Sequence, residues 1–309
     1  MNKKIKRLIK LSLGFIILFY FLSQLGFNNV LSTLKETNLM IFFIVVLLYF
    51  PVQILASFNY SVLLKSIDKS IPFIGIFKSL TLSQAVGKVF PSQIGEFSII
   101  HFFNSYGLGY GEGLALSIFD KLLTFSLFSL ISLYGIYVYF NSTIFLIVLT
   151  FILLSFSILF FLIIHEKPRG FIKKYILKDY SKYFKGFSKT FIHILKYKKK
   201  YLFLNYFITA SKWIVDFFGI VLLFKGFNID VNLYYVIIVM SITKIISLIP
   251  LTFSGLGIKE ASATYLFNYI SNINNVIGAN VLILNRIKMY FLSFLMYLMN
   301  LDLLKKDLR

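Results

Sequence analysis

Long apolar runs, separated by short polar connections, fill most of this chain. Stretches of about 20 apolar residues, enough to span a bilayer as a helix, fall at about 10–27, 38–60, 114–140, 143–164, 201–224 and 276–301. They predict an all-α, polytopic integral membrane helical bundle with about six full spans. Two further apolar regions, 72–108 and 231–270, are interrupted. The first break reads Pro91-Ser92-Gln93-Ile94-Gly95-Glu96. The second reads Pro250-Leu251-Thr252-Phe253-Ser254-Gly255-Leu256-Gly257-Ile258-Lys259-Glu260. Each combines a proline, one or more glycines and a glutamate. Such a break is costly in lipid, because backbone groups and a carboxylate must find partners there. A basic residue follows each glutamate at nearly equal separation, Lys121 after Glu96 and Arg286 after Glu260.

The connections set a topology. Basic residues collect on the cytoplasmic side of a membrane. They occur here ahead of the first run (Lys3, Lys4, Lys6, Arg7), at Lys65 and Lys69, at Lys305, Lys306 and Arg309, and in the segment 165–200, which has twelve Lys or Arg residues. Six full spans place all of these inside; the alternative is seven or eight crossings, with one hairpin arm spanning fully. Both termini and the loop 165–200 are therefore expected in the cytoplasm, and the protein in the plasma membrane. The region 72–108 would then enter and leave from the cytoplasm, and 231–270 from the outside. Two re-entrant hairpins would face each other as an inverted repeat, an arrangement that puts a site near the midplane. The expected organisation is one transmembrane domain, 1–309, with a first half at about 10–164, the basic loop 165–200 and a second half at about 201–301. The N-terminal run resembles a signal peptide but lacks small residues at a cleavage site, so an uncleaved first span is expected. The basic loop reads first as a solvated connection. Its alternative is an interfacial helix with Phe171, Tyr175 and Ile176 embedded beside Lys173, Lys174 and Lys178.

Composition agrees. Of 309 residues 58% are hydrophobic and 14% charged, with a mean hydropathy of +0.82; soluble domains carry about 25% charged residues. The formal charge of +20 would suggest nucleic acid in a soluble protein, but cytoplasmic loops account for it and no nucleic-acid partner is expected. There is no cysteine, which excludes disulfides, thiol catalysis and cysteine metal sites. His101, His165 and His193 lack metal-ligand spacing. No hydrolase, P-loop, zinc-protease or dinucleotide motif occurs. Neither metal, cofactor nor catalytic residue is assigned.

The remaining chemistry lies with charges in apolar surroundings. Glu96, Asp120, Asp216 and Glu260 sit in or beside apolar segments, where a carboxylate needs a cation or backbone donors. Gly95, Gly255 and Gly257 permit unusual backbone angles and close approach, and the helix starts after the breaks can aim N–H groups at an anion. Pairing of Glu96 with Lys121 and of Glu260 with Arg286 is expected. These pairs read either as a binding site or as pins for the broken hairpins. Asp120 and Lys121 are neighbours on a helix, so each is expected to reach another helix. Lys212 and Asp216, four apart, suit an intrahelical pair. Lys88, Lys244 and His101 border the breaks. Trp213 reads as an interfacial anchor.

These motifs resemble the transmembrane region of the lysylphosphatidylglycerol synthase family, also called flippase-like domain proteins. The family's first motif, Pro-Gly-Arg-hydrophobic-Gly-Glu, is similar to the segment from Pro91 to Glu96. Its Glu-Arg pair in the next helix corresponds to Asp120-Lys121. Its second motif, Pro-Gly-Gly-Leu-Gly-hydrophobic-Arg-Glu-Ala, is similar to the segment from Phe253 to Ala261, and a later arginine corresponds to Arg286. The resemblance covers about 10–301. The chain departs at Ile99, where relatives carry arginine, at Phe253 and Ser254, and at Lys121 and Lys259, where lysine keeps the charge but loses the arginine fork.

The resemblance implies a lipid-translocating unit. In the lysylphosphatidylglycerol synthases such a region is coupled to an aminoacyl-transferase domain; this chain ends at Arg309 without room for one, so a stand-alone membrane unit is expected. The expected partners are membrane lipids: an anionic phospholipid or a polyprenyl-phosphate-linked headgroup. The substrate-binding residues would be Glu96, Lys121, Lys259, Glu260 and Arg286, supported by Pro91, Gly95, Asp120, Pro250, Gly255 and Gly257. One alternative is a membrane-embedded transferase with Glu96 or Glu260 as base. Another is a membrane subunit of a lipid-linked glycosyl- or aminoacyl-transfer system, with a separate transferase partner.

Overall fold

The computed structural model describes residues 23, 27–89, 96–165, 184–247 and 255–300. Among them are twelve helices and no strand. They are α1 (Phe27–Lys35), α2 (Leu39–Leu47), α3 (Tyr49–Lys65), α4 (Phe73–Val89), α5 (Ile99–Asn104) and α6 (Tyr110–Tyr139), followed by α7 (Ser142–Ile164), α8 (Phe187–Tyr197), α9 (Lys199–Lys225), α10 (Leu233–Ile246), α11 (Ile258–Ser271) and α12 (Asn275–Met299). Five stretches are long and apolar enough to cross a membrane: Leu39–Lys65, Tyr110–Tyr139, Ser142–Leu162, Lys199–Lys225 and Asn275–Met299. This is a multi-pass membrane protein. Most of the first expected span, 10–27, lies outside the described residues, as do Pro91, Gly95 and Pro250.

The span Leu39–Lys65 bends at Leu48, between α2 and α3. Pro51 has no N–H to give to the carbonyl four residues back, which is a common cause of such a bend. The expected breaks lie mostly outside the described residues, in 90–95 and 248–254; α4 precedes and α5 follows the first, and α10 precedes and α11 follows the second.

The two halves repeat one another in detail. Helices α3 and α9 both end in a turn with a left-handed residue, Asp68 (φ 56) and Asn228 (φ 58). In each, the next N–H reaches back to a helix carbonyl at 3.1 Å, Lys69 to Leu64 and Ile229 to Phe224. This is a Schellman cap, which satisfies carbonyls that the helix end leaves bare. Downstream, Asn104 donates from Nδ2 to the Leu108 carbonyl at 2.9 Å, and Asn268 to that of Ile273 at 3.0 Å. Glu96 and Glu260 precede these asparagines by the same number of residues.

Packing follows the same equivalence. Helix α3 lies against α9; α4 against α12 matches α10 against α6; and α5 against α6 matches α11 against α12. One core joins α6, α9, α10 and α11, and another joins α3, α4, α5, α6 and α8. Close contact between α6 and α10 depends on Gly135, where a Cβ would lie 2.5 Å from Cγ2 of Ile238. Gly135→Val should therefore lower stability by about 1–3 kcal/mol, the usual cost of overpacking; an unchanged unfolding midpoint in detergent would contradict this packing.

The basic segment 165–200 is not only a connection. Its part 187–197 forms α8, whose Phe191 and Ile194 are fully buried. Phe191 stacks on Phe119 of α6, with ring centroids 4.1 Å apart. The residues proposed for an interfacial helix, Phe171 to Lys178, lie outside the described residues.

Candidate functional site

The second break gives the more complete picture. Gly255 and Gly257 have φ of +70° and +78°, a region that side chains with a Cβ rarely adopt. The Lys259 side chain arches over Gly255, where a Cβ would meet its Cε at 2.8 Å. Glu260 then sits in the first turn of α11 and accepts the Gly257 N–H on Oε2 at 2.8 Å. This ties off one of the unpaired N–H groups that any helix start exposes. Oε1 of Glu260 accepts from Nε of Arg286 on α12. Arg286 also donates to the Gly255 carbonyl and to the Tyr290 hydroxyl, both at 3.4 Å. Glu260 and Arg286 are largely buried, with side chains 5% and 16% exposed.

The first break carries the equivalent pair. Glu96, at the start of the short helical turn before α5, accepts from Nζ of Lys121 on α6. Gly87 on α4 makes room: a Cβ there would lie 2.7 Å from Cγ of Glu96. Both expected pairs are thus formed. The second rests on more contacts, because arginine engages three groups where lysine offers a compact charge.

Asp120 is buried in the core. It accepts from Nδ2 of Asn59 at 2.9 Å and keeps Lys121 Nζ at 4.0 Å. Asn59 also donates to Thr209 at 3.0 Å, and Asn205 donates to the Asn59 carbonyl at 3.3 Å. This buried polar seam joins α3, α6 and α9, where an unpaired carboxylate would be costly.

A cavity of about 850 Å³ opens between the halves, lined by Glu96, Asp120, Lys121, Lys259, Glu260 and Arg286. All five expected binding residues therefore face one space. Of the supporting residues, Asp120 lines it, whereas Gly255 and Gly257 shape the start of α11 beside it.

Four further charged residues line the same cavity: Lys212, Asp216, Lys244 and Lys288. Here sequence spacing misled. Asp216 lies nearest Lys288 of α12, at 4.0 Å, and Lys212 forms no ion pair among the described residues. Lys212 instead lies 5.3 Å from the ring centroid of Trp213, and Lys244 lies 4.1 Å from it. Trp213 lines the cavity and packs edge-on against Phe128 at 4.9 Å. His101 is exposed, with Nδ1 3.3 Å from the Tyr110 hydroxyl, and the Lys88 side chain lies outside the described positions.

Lys288, Gly87 and Asn59 were not picked out from sequence. Lys288 had a usable signal, a second cation two residues from Arg286 in an apolar helix. The other two depend on contacts between helices.

A family model described as the lysylphosphatidylglycerol synthase TM region matches residues 7–296. No curated protein matches the chain.

Proposed function

The chain belongs to the lysylphosphatidylglycerol synthase transmembrane-region family, and from that premise we propose that it carries an anionic lipid headgroup across the plasma membrane. The headgroup would occupy the cavity between the two broken helix pairs while its tails stay in lipid. The observation that carries this reading is that both ion pairs, one from each half, line the same space. A chain that needed these charges only as pins would have no reason to turn both pairs toward a shared cavity.

Lys121, Lys259 and Arg286 would neutralise the phosphate. Glu96 and Glu260 would hold the cations between cargoes. Rocking of the two halves as inverted repeats, with the termini in the cytoplasm, would alternate access. The transferase alternative needs a carboxylate available to a substrate proton; both oxygens of Glu260 are already engaged, by Arg286 and by the Gly257 N–H.

The test is translocation of a fluorescent anionic phospholipid in vesicles containing the purified chain, read by chemical quenching of the outer leaflet. Wild type should speed translocation over empty vesicles. Lys121→Gln should slow it by about tenfold, the factor worth ~1.4 kcal/mol. Movement no faster than in empty vesicles, or a wild-type rate in Lys121→Gln, would refute the proposal.

A further inference from the structure

One patch of the cavity wall is polar without being charged. Gln53, on α3, is only 4% exposed and lines the cavity. Its Nε2 donates to Oε1 of Gln84, on α4, at 2.9 Å. Its own Oε1 is buried and accepts from no group among the described residues. Tyr49 lies one turn earlier on α3 and lines the same cavity. Its buried hydroxyl also has no partner among the described residues. Buried polar groups are nearly always paired, so each exception calls for a reason.

The internal repeat identifies these as wall positions. Gln53 and Gln84 stand at the same separations from Asp68 as Trp213 and Lys244 do from Asn228, the matching left-handed residue. In both halves the two positions meet across neighbouring helices that line the cavity. Gln53 reaches Gln84 through its hydrogen bond, and Lys244 lies 4.1 Å from the Trp213 ring centroid. The second half makes this helix contact without amides, so packing alone does not call for them in the first.

We propose that Tyr49, Gln53 and Gln84 form a neutral subsite for hydroxyl groups, and that the headgroup carried bears a polyol, a glycerol or a sugar, next to its phosphate. This rests on the reading of the cavity as a headgroup site. The three side chains offer an amide carbonyl that accepts, an amide NH2 that donates and a phenol that does both. A hydroxyl both donates and accepts, so neighbouring hydroxyls on one polyol can match the whole set. An ammonium group only donates and leaves the Gln84 NH2 unmet. A quaternary ammonium donates nothing and is recognised by aromatic faces instead. A site built to hydrogen-bond a hydroxyl rejects an analogue that lacks it, because its own polar groups are then left unpaired.

The chain contains a single tryptophan, Trp213, which lines the same cavity, so its fluorescence reports on occupancy. Thermal shift gives a readout that does not depend on it. The full chain in detergent is titrated with the dihexanoyl forms of phosphatidylglycerol, phosphatidylinositol, phosphatidylethanolamine and phosphatidylpropanol, and with glycerol 3-phosphate. Phosphatidylpropanol has the phosphodiester charge of phosphatidylglycerol but no headgroup hydroxyl. Phosphatidylglycerol or phosphatidylinositol should bind about tenfold more tightly than phosphatidylpropanol, one decade in affinity. Phosphatidylethanolamine and glycerol 3-phosphate should bind more weakly than the better of the two. Gln53→Leu and Gln84→Leu should each bring the ratio of polyol lipid to phosphatidylpropanol close to one. A purely structural role would weaken all the lipids together and keep the ratio. Phosphatidylpropanol or phosphatidylethanolamine binding as tightly as both polyol lipids would overturn the polyol inference and leave the headgroup reading standing. A preference that survives in both variants would overturn the assignment to these residues. Glycerol 3-phosphate matching phosphatidylglycerol would overturn the lipid as the source of the polyol. No response to any lipid by either readout would overturn both readings.

Discussion

Arg286→Ala should stop lipid translocation and destabilise the protein by about 3–5 kcal/mol, the range for removing one partner of a buried ion pair. The size follows from what is left behind. Glu260 has a side chain only 5% exposed and would lose its cation. The Gly255 carbonyl and the Tyr290 hydroxyl would each lose a donor, so the turn that starts α11 loosens as well. Removing both charges separates structure from transport. Glu260→Gln combined with Arg286→Met should recover much of the stability, because a neutral pair of similar volume is often tolerated where a lone charge is not. It should not recover translocation. Unfolding in detergent and the vesicle assay give the two readings. If the double variant moves lipid at the wild-type rate, the pair is a pin and not part of the path.

Gly111→Val is the second large effect, and it acts far from the charges. A Cβ at Gly111 would lie 2.0 Å from the Lys185 carbonyl oxygen and 2.8 Å from the Phe187 nitrogen. Both are backbone atoms at the start of α8, so no side chain can swing aside. Helix α8 should come off α6, and the fully buried Phe191 and Ile194 should become exposed. Overpacking costs about 1–3 kcal/mol, and each apolar side chain returned to water about 1.5–3 kcal/mol. Hydrogen exchange within 187–197 should rise sharply, and protease should cut there first. Unchanged protection of that helix would show that α8 does not dock through this glycine.

The outline of the fold was legible because lipid leaves few choices. An apolar run of the right length becomes a helix, and a proline-glycine break within one stands out. The two glutamate pairs were legible for the same reason: few charges lie in apolar surroundings, and each must find another. The rest depended on packing. Asp216 has a lysine four residues away on its own helix, yet its nearest cation is Lys288, because the crossing of α9 and α12 brings that side chain nearer. Trp213 looks like any interfacial aromatic until α10 brings Lys244 over its ring. Helix α8 was hidden by the lysines around it; its two buried residues stand three apart, a short helical signal inside a basic stretch. Gly87 carried no signal at all, since its reason is the side chain of Glu96 on the far side of the break.

The charges around the cavity are unevenly shared. Residues of the first half supply Glu96, Asp120 and Lys121; those of the second supply Lys212, Lys244, Lys259, Arg286 and Lys288 against Asp216 and Glu260. The backbone repeats, but the electrostatics have two poles, negative on one wall and positive on the other. The proposed phosphate would meet two cations of the positive pole, Lys259 and Arg286, and one of the other wall, Lys121. In the proposed transport, a phosphate shared among Lys121, Lys259 and Arg286 would have one contact on the first half and two on the second, so a symmetric frame would have an asymmetric stroke, with Lys121 the contact broken as the halves part.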